Sequence, residues 1–404
     1  MKKRLNFEYS CIHGTYWMFY GVVSSFASVF LLARGYSSSQ IGLTLAAANI
    51  LAVVLQPIAA DLADRVKRPS LIGITEILTV MMMIVTIGLF IFDGRTAALS
   101  AVFVLLIAWH TVLHPLFNSL TFKLEECGVP INFGIARSMG SLAYSALVAV
   151  LGTLVEARGI IVLPVTGEII LAMLLVSLAL TKKSYDRARK INEKKGTAAV
   201  KKRGQKDEEP INLWQFMNNN KPFFLVNIGV IGLYFSNSIL NNYMMQIVAS
   251  VGGSSQDMGR ILSLMAFLEM PTMMCFRLLR KRFSCQSMIK AAAIGFTVKI
   301  GICYLASSVT MIFIAQLFQL VSFALFLPAM VHFINEVMRK GEAVKGQALF
   351  TTMVTITTIF SSLIGGVIID ASGVKMLTLV STLMTAAGAV IVIAAVGRVK
   401  PKAD

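Results

Sequence analysis

The order of apolar and polar positions along the chain predicts twelve long helices. Apolar blocks run over roughly 11–33, 40–60, 70–92, 96–121, 133–156 and 160–180. After a polar stretch they resume at 222–249, 257–279, 286–306, 309–334, 346–369 and 374–397. Each is close to the ~20 residues a helix needs to cross a bilayer. Residues 96–121 contain no acid, lysine or arginine, and 70–92 contain one acid, Glu76. Asp93-Gly94-Arg95, Ala157-Arg158-Gly159 and Ser307-Ser308 read as tight turns between blocks. The expected fold class is an all-α membrane protein. Its domains are a six-helix half over 1–180, a linker over 181–221 and a second six-helix half over 222–404.

Composition strengthens this reading. Apolar residues make up 56% of the 404 and charged residues only 14%, well below the roughly 25% of a soluble domain. A soluble enzyme, a disordered chain and a secreted disulfide scaffold are excluded. The start, Met1-Lys2-Lys3-Arg4, is basic, but the apolar segment after it is too long for a cleaved signal and lacks a small-residue cleavage site. The five cysteines form no C-x-x-C pair, so neither a disulfide nor a structural zinc is expected.

The net charge of +17 is informative once sorted by side. With the amino terminus inside, 28 of the 37 Lys and Arg fall in inner loops and tails, and four (Arg34, Arg95, Arg158, Lys375) fall outside. This follows the positive-inside rule. It places both termini on the cytoplasmic side of a cell (inner) membrane. The 181–221 stretch carries twelve of the bases and the acidic triplet Asp207-Glu208-Glu209. An anionic inner leaflet explains that charge without nucleic acid.

The loop Ala60-Asp61-Leu62-Ala63-Asp64-Arg65-Val66-Lys67-Arg68 places acids and bases at a helix end. It reads either as a solvated inner loop or as a charge latch that breaks and re-forms as helices rock. The loop resembles the signature of the major facilitator superfamily, G-x-L-x-D-R-x-G-R-R/K. Asp64, Arg65 and Arg68 match; Ala60 and Lys67 replace glycines. The layout of six helices, linker and six helices is similar over essentially the whole chain. The resemblance implies two six-helix halves, alternating access and a substrate site near the midplane.

A finer resemblance is to the lactose permease and the oligosaccharide/proton symporters, with nucleoside/proton symporters close by. It rests on Leu45-Ala46-Ala47-Ala48, Gln56-Pro57 and Phe133-Gly134-Ile135-Ala136-Arg137-Ser138-Met139-Gly140. It implies that Arg137 binds sugar hydroxyls and that Tyr144 takes the place of a stacking tryptophan. A guanidinium fork suits vicinal hydroxyls. The competing readings are snorkelling for Arg137 and ordinary packing for Tyr144. The sequence departs from the group where ionisable residues would be expected. Asn118 stands for a glutamate. Gln316, Gln319 and Ser322 stand on the face of a lysine, histidine and glutamate set. Ser238 and Asn241, beside Asn242, stand for aspartates.

Two charges remain mid-span, Glu269 and Lys299. A central charge costs about 2.5–3.5 kcal/mol on insertion scales, so each should face a cavity or a partner. Glu269 has three readings: proton coupling, substrate binding without coupling, or a counter-ion to Lys299. His110 and His114 have the i, i+4 spacing of a metal pair, but no acid or cysteine accompanies them in the span, so pore lining or interhelical bonding is expected.

Substrate contacts are expected from Asn118, Arg137, Tyr144, Asn241, Asn242, Glu269, Lys299, Gln316 and Gln319. Proton coupling is expected from Glu269, and the latch from Asp61, Asp64, Arg65 and Arg68. No cofactor, metal or nucleic acid is expected; the partners are a small solute, the bilayer and, on the coupling reading, protons, with a monomeric chain. No P-loop, catalytic triad or dinucleotide fingerprint occurs, so the chain does not read as an enzyme. The leading function is import of a neutral polyol, a sugar or oligosaccharide; the alternative is a nucleoside symporter. Multidrug efflux lacks its Gly/Pro-rich fifth span here, and a non-transporting sensor lacks a receptor-like extension.

Overall fold

The computed structural model describes residues 2–65, 70–125, 130–194, 213–339 and 342–399. Among them there is helix and no strand. Eleven helices are long and apolar enough to cross a membrane. The last of these, Ala343–Val396, contains Gly373 at φ 81°, ψ 172°, and is two helices joined by a sharp turn. Only glycine enters that backbone region without strain. Twelve spans result among the described residues, as the hydropathy pattern predicts.

In chain order they are α1 Lys3–Ala33, α2 Ser38–Arg65, α3 Leu71–Ile91, α4 Ala97–Glu125, α5 Phe133–Arg158 and α6 Val162–Lys194. Then follow α7 Lys221–Asn242, α8 Ser255–Arg282, α9 Cys285–Leu305, α10 Val309–Val337, α11 over 343–372 and α12 over 374–396. A short helix, Leu213–Asn219, precedes α7.

The starts follow from capping chemistry. Ser70, Asn132, Ser284 and Ser308 each accept a hydrogen bond from a backbone N–H in the first turn of the helix that follows. Ser254 and Asp257 form a reciprocal capping box at α8. Gly94 and Gly159 take positive φ in two of the expected turns.

Three boundaries differ from the hydropathy reading. Helix α1 starts at the basic terminus, because Leu5, Tyr9 and Ile12 continue its buried face in helical register. Helix α6 runs to Lys194, into the basic stretch; Lys182 on that extension donates to Glu76 of α3 at 2.5 Å. Helix α7 ends at Asn242, and the chain resumes as Met244–Ala249 after a break at Tyr243.

The chain separates into two compact units. The first is Met1–Tyr36 with Thr44–Gly204; the second is Ser37–Leu43 with Gln205–Asp404. In the second, Phe223, Val230, Phe296, Phe326, Met330 and Phe350 belong to one buried core shared by α7, α9, α10 and α11. Many large apolar side chains point outward, among them Val54 and Ile58 of α2 and Ile84 and Ile91 of α3. On a spanning helix that is the lipid-facing surface.

Candidate functional site

In the first unit the polar chemistry gathers where α1, α4 and α5 face one another. The Arg137 guanidinium carbon lies 4.1 Å from the centre of the Trp17 ring, within cation–π range. Its Nη1 donates to Ser141 Oγ, one turn on, at 2.9 Å. Tyr144, the next residue down this side of α5, has its hydroxyl 2.9 Å from Ser25 Oγ, and its ring centre is 6.0 Å from that of Tyr20. Arg137 is therefore held against an aromatic wall rather than extended to a membrane surface.

That wall continues onto α4. Tyr16 stacks on His110 with centroids 4.0 Å apart and planes 9° apart, and on His114 at 5.6 Å. His110 is buried, and its Nε2 donates to the Tyr16 carbonyl at 3.0 Å. A carbonyl only accepts, so the proton sits on that nitrogen. His110 thus bonds α4 to α1, and both histidine rings stack on Tyr16. Asn118 lies four residues beyond His114, on the same stripe of α4. Its Oδ1, Trp17 Nε1 and His13 Nδ1 are buried without a hydrogen-bond partner among the described residues. Such groups are costly in apolar surroundings.

Helix α1 is not regular here. Residues Gly21–Ser25 form a π-helical turn, which carries Ser25 to Tyr144. Single π-turns of this kind concentrate at functional sites. A Cβ on Gly21 would lie 3.0 Å from Val148 and 3.5 Å from the Tyr144 ring, so glycine lets α5 approach.

In the second unit a buried polar chain links three helices. The Lys299 ammonium of α9 donates to Gln319 Oε1 at 2.5 Å. Gln319 Nε2 donates to Glu269 Oε1 of α8 at 2.8 Å. Lys299 is 1% exposed. Gln319 sits in a single 3-10 turn, Phe318–Leu320, that interrupts α10; Thr272, next to Pro271, donates to the Leu320 carbonyl at 3.2 Å. Gln316 and Ser322 flank this turn, and Gln316 Oε1 and Ser322 Oγ are also buried without a partner among the described residues.

A second polar seam joins α7 to α11. Asn242 Nδ2 donates to Ser362 Oγ at 2.8 Å, and Ser238 Oγ lies 3.2 Å from Thr358 Oγ1. Tyr243 donates to the Ser362 carbonyl across the break that ends α7. Asn241 is half-buried beside it.

The expected site residues thus fall into an α1/α4/α5 group (Asn118, Arg137, Tyr144), an α8/α9/α10 group (Glu269, Lys299, Gln316, Gln319) and an α7/α11 seam (Asn241, Asn242). The sequence reading missed Tyr16, Trp17 and Tyr20, and the Thr358/Ser362 side of the seam. The aromatic signal was present as four rings within five residues of α1, Tyr16, Trp17, Phe19 and Tyr20. Of the latch, Asp61 is exposed near the end of α2. The side chains of Asp64 and Arg65, and Arg68 altogether, lie outside the described residues.

The match that decides the family covers residues 9–380, with the model of the MFS_1 like family. The chain belongs to that family of major facilitator transporters. No curated protein sequence matches it. Among solved structures it is similar to a point mutant of the nucleoside transporter NupG, with a TM-score of 0.77 and 13% identity over 96% of this chain and 99% of that one. It is also similar to a bacterial homologue of the iron transporter ferroportin, in an inward-facing state, with a TM-score of 0.69 and 14% identity over 98% and 99%. A bacterial homologue of the human lysosomal transporter Spinster matches with a TM-score of 0.64 and 14% identity over 98% and 97%. At such identities the likeness concerns the fold: this is a multi-pass membrane transporter of the major facilitator type.

Proposed function

We propose that this family member imports a small, uncharged, ring-bearing polyol, a sugar or oligosaccharide, by alternating access. In this reading it works in the cell membrane with both termini in the cytoplasm. The observation that supports it is Arg137 pressed on Trp17 beside Tyr20 and Tyr144. A guanidinium fork suits vicinal hydroxyls, and aromatic faces suit the C–H side of a sugar ring. Asn118 in the first unit, and Asn241, Asn242, Gln316 and Gln319 in the second, each carry both donor and acceptor, a chemistry that suits a neutral solute. Counter-flow of labelled sugars in proteoliposomes tests this; absence of exchange across mono-, di- and trisaccharides overturns it.

A nucleoside is the second reading. The half-buried rings of Trp17, Tyr20 and Tyr144 support it as well, since flat rings in series also suit a nucleobase. The similarity to a nucleoside transporter points the same way. Competition of uptake by nucleosides against disaccharides separates the two.

Proton coupling belongs with Glu269 in this proposal. The carboxylate is tied through Gln319 to a buried ammonium, so a change in its protonation would be felt at α9 and α10 together. Asp61, Asp64, Arg65 and Arg68 are assigned the inner latch on the family signature.

A further inference from the structure

Outside the aromatic cluster, the first unit contains a cavity of about 1360 Å³ on another side of α1. It is walled by α1, α5 and α6, and beyond Phe133 at the start of α5 it is lined by Ile135, Met139 and Ala143, offset around the helix from Arg137, Ser141 and Tyr144. Small-molecule pockets are about 300–1,000 Å³, so this one exceeds a drug-sized solute.

Its chemistry is sharply divided along its length. The wall is apolar, with Met18, Ile169, Met173 and Val176 among its residues. The hydroxyls that do line it are turned onto their own helices: Ser10 donates to the Asn6 carbonyl, Thr15 to that of Cys11 and Ser177 to that of Met173, each at 2.8 Å. They leave no donor for a polar solute. Gly14 and Ala143 form a shallow floor, since a Cβ on Gly14 would lie an ordinary 3.7 Å from that of Ala143. The polar groups collect at one end, with Lys3, Asn6 and Asn132. There Asn6 donates to the Pro130 carbonyl at 3.0 Å and accepts from the Asn132 N–H at 2.8 Å, which ties the start of α1 to the start of α5. Among the described residues lining the cavity, Lys3 is the one that carries a charge.

The dimensions match one leaflet. From Lys3 to Met18 the helix rises about 22 Å at 1.5 Å per residue. Half of a bilayer, headgroups included, is about 20–22 Å. With the base-rich side taken as the inner face, Lys3 lies at headgroup depth and Met18 near the midplane.

We propose that this groove seats one anionic phospholipid of the inner leaflet, its phosphate at Lys3 and its acyl chains along α1, α5 and α6. The assignment rests on the orientation given by the loop charges and not on which solute is transported. An anionic headgroup meets the Lys3 ammonium and the positive end of α5 together. The wall, whose hydroxyls are bonded to their own helices, takes hydrocarbon.

Native mass spectrometry of the full-length, delipidated protein tests this, with phosphatidylglycerol and phosphatidylcholine added separately in equal excess. The wild type should keep one phosphatidylglycerol under activation that strips phosphatidylcholine. K3Q should lower the preference about fivefold, the weight of one basic residue at a membrane surface, and leave phosphatidylcholine binding unchanged. A172F, which fills the groove from an exposed position on α6, should remove the retained phosphatidylglycerol while the melting temperature stays within a few degrees. Equal retention of the two lipids by the wild type overturns the proposal. So does a preference that survives both K3Q and A172F, which would place the lipid elsewhere. Sugar or nucleoside uptake is read separately, so failure of the transport proposal leaves this result intact.

Discussion

Lys299 and Glu269 are bridged by one amide: Gln319 accepts from the ammonium at 2.5 Å and donates to the carboxylate at 2.8 Å. Glutamine can do both at once because its oxygen and nitrogen have opposite roles. Replacing it by leucine removes the acceptor from an ammonium that is 1% exposed. A hydrogen bond to a charged group is worth about 1.5–3 kcal/mol, and an orphaned buried charge costs at least that. Q319L should therefore lower stability by about 2–3 kcal/mol, read as a fall in melting temperature in detergent. K299M combined with Q319L should cost less than the sum of the two singles, because the orphaned charge is then gone. Strict additivity would show that the amide and ammonium do not interact.

Glu269 is the acid on which coupling depends in the proposed function. E269Q keeps the shape and an acceptor for Gln319 but cannot exchange a proton. Uphill uptake driven by a pH gradient should be abolished, and the pH dependence of uptake flattened. Counter-flow, which needs no net proton movement, should persist within a fewfold of wild type. Uphill uptake retained by E269Q would move coupling to another group or make the protein a facilitator.

How far the sequence reached can be judged from these residues. The twelve spans were legible because bilayer thickness sets a length that hydropathy reads directly, and the turns were legible where Gly94 and Gly159 supply positive φ. Glu269 and Lys299 stood out because a charge at mid-span is expensive. The connection through Gln319 was not legible, since it depends on a 3-10 turn in α10 that places residues 50 and 20 positions apart within bonding distance. Nor was Trp17 legible as the partner of Arg137: rings in a hydrophobic span look alike until helix rotation decides which face they take. The π-turn at Gly21–Ser25 changes that rotation along α1 itself.

Trp17 should matter through the face it offers Arg137. The guanidinium carbon is 4.1 Å from the ring centre, a contact worth about 0.5–2 kcal/mol. W17L should raise the KM for the transported solute by about 2- to 30-fold, whereas W17F, which keeps a ring, should fall between. R137K retains the charge but loses the planar fork, so uptake should drop at least as far as in W17L. If R137K transports normally, Arg137 acts only as a point charge and the hydroxyl-binding role fails.

Asp370 supports a helix start within the second unit. Its two carboxylate oxygens accept from the Ser38 N–H at 3.0 Å and the Ser39 N–H at 2.7 Å. These are two of the backbone donors that the first turn of α2 cannot satisfy internally. The local pair Ser37 and Gln40 bonds reciprocally at the same turn. Asp370 is exposed, so solvent screens the interaction, and D370A should cost about 1 kcal/mol, the usual value of a lost cap. D370N, which keeps one acceptor, should recover about half. An unchanged melting temperature in D370A would mean that water replaces the carboxylate without penalty.

Helices α7 and α12 meet through glycine, and substitution there should be harsher than at any cap. A Cβ on Gly229 would lie 2.8 Å from the Gly388 carbonyl oxygen and 2.6 Å from Val392 Cγ2. A Cβ on Gly388 would run into Gly229 in turn, with Gly232 Cα at 2.9 Å. In lipid, where apolar side chains gain little by leaving the surrounding hydrocarbon, helices associate by close backbone approach at small residues. At Gly388 a methyl group has only backbone in front of it, and at Gly229 it has the Gly388 carbonyl and Val392 N–H behind the Val392 methyl, so moving one side chain aside does not make room. G229A and G388A should each destabilise the protein by about 1–3 kcal/mol, the range for overpacking. The double variant should cost less than the sum, because the helices separate once for both. Gly134 is the control: a Cβ there meets only the Asn132 side chain at 3.7 Å, so G134A should leave the melting temperature unchanged or slightly higher. Equal melting temperatures for G388A and G134A would show that α7 and α12 do not pack this closely in the membrane.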